Sequence, residues 1–115
     1  MSGENAAMMT EISNNPKFPK IVFHPEFTER DTDEMWQRGY VGPVTIEGSD
    51  GSRYEVIFYN PTRLLQEIAF DFKKGNSFWT EPGLIVLPEI TMPRIYPAVQ
   101  HLWENGYFLR LKPIE

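Results

Sequence analysis

Between Pro43 and Tyr59 the chain alternates, and that alternation constrains the fold more than any other feature. Val44 and Ile46 point one way on the first side of a short polar stretch. On the other side Tyr54, Val56 and Phe58 form one face, and Arg53, Glu55, Ile57 and Tyr59 form the opposite one. The stretch between them, Gly48-Ser-Asp-Gly-Ser52, carries an Asp-Gly pair that tolerates the positive backbone angles of tight hairpin turns. A β-hairpin over 43–59 follows. Its second face is partly apolar through Ile57 and Tyr59, so something is expected to cover part of it.

Asn60-Pro61 then opens a helix. Asn suits the cap and Pro has its φ already fixed for the first helical position. Leu64, Ile68 and Phe72, with Leu65 and Ala69 beside them, make one apolar stripe. Lys73 and Lys74 fall in the last turn and Gly75 ends it. The apolar run Leu84–Leu87, bounded by Pro-Gly and Pro88, reads as a central strand buried on both faces. A second helix is expected from Thr91 to Asn105, with Ile95, Ala98, Val99 and Leu102 inward. Pro97 must either kink it or sit near the start of a shorter one. Tyr107–Leu111 reads as a last strand.

Before the hairpin, Lys20–His24 between two prolines reads as an edge strand. Asp31 and Glu34 have the spacing of a capping box, which predicts a helix of two turns at most, stopped by Gly39. Residues 1–16 are polar and aperiodic and are expected to be a disordered tail, with one α+β domain over 17–115. The expected fold is a small mixed or antiparallel sheet with two main helices packed on one face, in a ββαβαβ-like order.

Composition excludes more than it asserts. The chain has 115 residues and no Cys, so disulfides, thiolate metal sites and thiol nucleophiles are ruled out. Its longest apolar run is four residues, against ~20 for a membrane-spanning helix. The N-terminal segment carries Glu4 and Glu11 and no apolar core, so no secretory signal is read there and the cytoplasm is the expected location. The formal charge is −5, and residues 26–34 hold five acids and one base. Such a chain does not attract a phosphate backbone, so no nucleic-acid partner is expected.

Catalytic motifs do not emerge. His24 and His101 lie in no nucleophile–base pattern, and there is no G-x-S-x-G. Glu81 and Glu89 stand ~26 Å apart along an extended chain, beyond the ~5–9.5 Å of a glycosidase pair. Asp31, Asp33 and Glu34 lack the frame of a calcium loop. Gly48–Gly51 leads into a strand, so it is a turn rather than a phosphate cradle. Lys73, Lys74, Phe78 and Trp79 interleave charge and rings, but two lysines are a thin footprint for a nucleic-acid strand. No cofactor is expected.

Six large aromatics, Trp36, Tyr40, Tyr59, Trp79, Tyr96 and Trp103, exceed what the elements need as core. Trp36 and Tyr40 adjoin the acidic segment. With Glu29, Asp31, Asp33 and Glu34 they compose a candidate surface for a basic protein partner, apolar at its centre and acidic at its rim. A non-catalytic interaction module, of the kind an immunity or antitoxin protein represents, is the expected function. The alternatives are a small ligand binder or enzyme with a pocket near His24 or His101, and a homodimeric structural subunit.

Overall fold

The hairpin forms the middle of the sheet. A computed structural model describes residues 19–114; the expected tail over 1–16 lies outside them. Strand β1 spans Lys20–Val22, β2 Tyr40–Glu47, β3 Arg53–Tyr59 and β4 Leu84–Val86, in the spatial order β1-β2-β3-β4. The first three are antiparallel and β4 runs parallel to β3. Helix α1 spans Glu29–Arg38, α2 Pro61–Lys73 and α3 Met92–Glu104, and a 3₁₀ turn covers Tyr107–Arg110. This is the expected α+β class, with a mixed four-stranded sheet.

The β2–β3 register pairs Val44 with Val56 and Ile46 with Tyr54. These side chains, with Phe58, are the buried face of the sheet. The turn is closed by Gly48 N–H to Ser52 O at 2.8 Å, and Asp50 accepts from Ser52 N–H at 2.9 Å. β2 begins at Tyr40, three residues before the expected start, and a bulge between Val41 and Val44 separates its two paired segments. Onto this face α3 lays Ile95 and Val99, α1 lays Met35, and the 3₁₀ turn inserts Phe108. Fully burying each such side chain stabilises by about 2–3 kcal/mol.

Three local readings are corrected, and the two options for Pro97 are narrowed to one. Helix α1 has Thr28, not Asp31, as its N-cap. Asp31 sits at the third helical position and closes the box from the other side, accepting from Thr28 N–H at 2.9 Å. The start moves back one turn and the helix runs ten residues, ending at Gly39 in the left-handed conformation. Strand β4 is an edge strand, not a central one. Ile85 and Leu87 are buried but Val86 between them is exposed, so the run alternates after all. Tyr107–Arg110 is a 3₁₀ turn, not a strand, because Gly106 at φ +75° turns the chain back on α3. Pro97 neither shortens nor starts α3. It lies inside the helix, which continues to Glu104 and lacks one backbone donor there.

Contrary to expectation, the two main helices do not share one face of the sheet but are divided between its faces: α3 packs on the core side, and α2 starts over the other. Tyr59 projects opposite to Phe58 and stacks on its cross-strand neighbour Tyr40, ring centres 5.9 Å apart. The Arg63 guanidinium of α2 lies over Tyr40, 4.7 Å from its ring centre. The first turn of α2 thus covers the second face at Tyr40 and Tyr59, as the apolar character of Ile57 and Tyr59 led one to expect. No residue of α2 joins the main hydrophobic cluster, and none of its apolar side chains packs against it.

Candidate functional site

The acidic segment becomes α1, and helical geometry divides its charges. Residues three, four and seven apart share a face. Glu29, Asp33 and Trp36 therefore stand together, all three exposed, with Trp36 at 56%. Asp31 and Glu34 turn to the adjacent face and meet arginines. Arg30 donates to Glu34 at 2.6 Å, Arg38 donates to the other Glu34 oxygen, and Arg38 stands 3.5 Å from Asp31. The sixth candidate, Tyr40, is not beside Trp36 on the helix but on β2, stacked on Tyr59.

These contacts hold two carboxyls below the usual range. For Asp31 the chief cause is the Thr28 backbone N–H, with Arg38 adding to it; for Glu34 it is the Arg30 side chain. A carboxyl whose folded-state pKa is depressed stabilises the fold above its unfolded pKa, and that contribution disappears as pH falls through the folded one. Asp31→Asn is therefore expected to flatten the loss of stability below about pH 4, the ordinary range of an Asp. Denaturation midpoints measured down an acid series check this; an unchanged slope would count against the cap geometry.

A shallow cleft of about 370 Å³ opens between α1 and the start of β2, lined by His24, Glu26, Asp31, Met35, Arg38 and Tyr40 among others. The Glu26 N–H donates to His24 Nδ1 at 3.2 Å, which leaves the proton of the neutral ring on Nε2. This cleft does bring a His and carboxylates together. Its lining holds no Ser, Thr or Cys, and Asp31 is already committed to Thr28 and Arg38. His101 is exposed on α3 with its Nε2 3.0 Å from the Asn105 amide. Among the described residues no group of three or more His, Asp or Glu is placed to hold a metal ion, and no helix is long and apolar enough to cross a membrane.

The feature that sequence reasoning took for core is α2. Its half-buried residues are Arg63, Leu64, Glu67, Ile68 and Asp71, and none of its residues is fully buried. One edge of the apolar stripe turns away from the body: Leu65 is 67% exposed, Phe72 50%, and Ala69 between them is exposed too. The side nearer the body is mixed: Leu64 and Ile68 are half-buried there, and Arg63 pairs with Glu67 at 2.8 Å. Phe70, with the Lys74 ammonium 4.8 Å from its ring centre, and Phe78, 70% exposed, add to the accessible apolar surface. A second open cleft of about 380 Å³ follows the end of α2, lined by Asp71, Gly75, Asn76, Ser77, Phe78 and Trp79 among others. The clue in the sequence was the Arg63–Glu67 spacing, which places a salt-bridged pair along one side of the helix and so competes with the stripe for the inward direction. Of the six surplus aromatics, Tyr59 is buried on the second face and Trp103 packs on Tyr54 and Phe108. Comparison of the chain with known protein families, with curated proteins and with solved structures gives no match.

Proposed function

We propose that the protein is a non-catalytic interaction module that binds another protein surface through the outward stripe of α2. The observation that carries this reading is that an amphipathic helix of 13 residues has no buried residue and turns Leu65, Ala69 and Phe72 to solvent. Contiguous exposed apolar surface of this kind marks protein interaction sites. Phe78 adds an aromatic anchor of the type that carries binding energy. The test is capture of binding partners from a native lysate by the full chain and by a Leu65→Glu/Phe72→Glu variant. Loss of the captured protein in the variant is expected, and its retention would contradict the reading.

The exposed Trp36 favours a second surface. With Glu29 and Asp33 on the same helical face it forms an aromatic centre with an acidic rim, suited to a basic partner. Salt distinguishes this surface from the α2 stripe. Binding through Glu29 and Asp33 weakens as salt rises, and weakens again in Glu29→Gln/Asp33→Asn. Binding through α2 does neither.

A further inference from the structure

Resting on the proposed binding role of α2, we infer that the partner covering its outward stripe is a second copy of the same chain, packed antiparallel along α2 about a two-fold axis near Ala69. Three observations point there. First, the exposed residues Leu65, Ala69 and Phe72 follow a four–three spacing, the seam by which one helix packs on another. The seam therefore calls for a helix. Second, it is electrically quiet. Residues 61–79 hold three bases and two acids, a net +1 in a chain of −5. Arg63 pairs with Glu67 at 2.8 Å and Lys74 with Asp71 at 3.9 Å, and only Lys73 stands outside those two pairs. A strongly charged partner, acidic or basic, would find little to pair with.

Third, the stripe is complementary to itself. Antiparallel pairing about its midpoint sets Leu65 of one copy opposite Phe72 of the other, a long aliphatic group against a ring at both ends. The small Ala69 lies near the axis, where the helices come closest. The two Lys73 ammonium groups fall about 13 Å apart along the helix axis, at the 1.5 Å rise per residue. That exceeds the ~8 Å screening length at physiological salt. A parallel pair would set them side by side. Two-fold dimers with one self-complementary patch are also the commonest closed assemblies. A seam of two turns is short, so the expected dissociation constant is micromolar rather than nanomolar.

Sedimentation equilibrium of the full chain across the micromolar range tests the assembly. The apparent mass is expected to rise from 13.4 kDa toward twice that value. In Leu65→Glu/Phe72→Glu the dissociation constant is expected to weaken at least about tenfold, as removal of large apolar interface anchors does. Raising salt is expected to leave the wild-type dimer intact. The absence of native Cys makes cross-linking unambiguous. Ala69→Cys is expected to yield a disulfide-linked dimer under mild oxidation, and Ser49→Cys in the hairpin turn is not. A mixture of Gln66→Cys and Lys73→Cys chains is expected to favour the mixed disulfide over either symmetric one, which reports the antiparallel direction.

A wild type that stays monomeric across that range overturns the inference, as does a dimer indifferent to the two glutamates. The same holds for a monomer that sediments with phosphatidylcholine–phosphatidylglycerol vesicles through the same two residues. A monomer that still loses a captured lysate protein on those substitutions removes the second copy as partner and leaves the binding role of α2 standing. If that capture is indifferent to the substitutions as well, the binding role falls too.

Discussion

Gly83→Ala is expected to cost about 4 kcal/mol, adding the strain of a left-handed alanine to that of an overfilled contact. Gly83 sits at φ +75° immediately before β4. A Cβ there would lie 2.4 Å from the Glu55 carbonyl oxygen and 3.2 Å from Val56 Cα, both backbone atoms of β3. That strand is paired on both sides and has nowhere to move. The close approach is what lets Gly83 O accept from Ile57 N–H at 3.1 Å, at the point where the parallel pairing begins. For a domain of this size the loss corresponds to a fall in melting temperature of roughly 20 °C. Gly51→Ala separates the two causes, because Gly51 also has a positive φ, +87°, but its Cβ would meet nothing within 4 Å. It should cost about 1 kcal/mol. Equal losses at the two sites in thermal unfolding would refute the close approach of 83 to β3.

The second large effect separates neighbouring residues. Phe108→Ala is expected to cost about 4 kcal/mol and Leu109→Ala no more than about 0.5 kcal/mol. Phe108 is 2% exposed and packs its ring on Tyr54, Trp103 and Tyr107, with ring centres 5.3–5.7 Å away. Leu109 is 82% exposed. A strand over 107–111 would have turned Leu109 and Leu111 inward and reversed the two costs. Denaturant midpoints of the two variants decide between the 3₁₀ turn and the strand.

The sequence made the hairpin legible because two residues of turn chemistry and a strict period of two agree with each other. It also located both ends of α2, since Asn60 accepts from Arg63 N–H at 2.8 Å and Pro61 occupies the first helical position. Which way α2 faces was not legible. Periodicity draws a stripe on a helix but does not say what the stripe meets; that depends on how the crossover from β3 to β4 sets the helix against the sheet. The short elements failed for a different reason. Four apolar residues at 84–87 are too few to display the alternation that burial of Ile85 and Leu87 and exposure of Val86 reveal. Leu109-Arg110-Leu111 is too short to distinguish a strand from a tight turn, and the deciding residue was Gly106. In the acidic segment the linear count ended at Glu34 and so missed Arg38, which the helix brings back onto Asp31 and Glu34. The cleft beside His24 was anticipated only as a possibility, because it depends on where α1 returns against β2.

The central claim is that the apolar stripe of α2 is a surface for binding and not part of the core. Thermal unfolding of Leu65→Glu/Phe72→Glu in dilute solution, where any partner is dissociated, tests it most directly. If both side chains face solvent, their replacement leaves the melting temperature within a few degrees of wild type, as surface substitutions do. If the stripe were buried, two charges in the core would unfold the protein or lower its melting temperature by well over 10 °C, and that result would contradict the account.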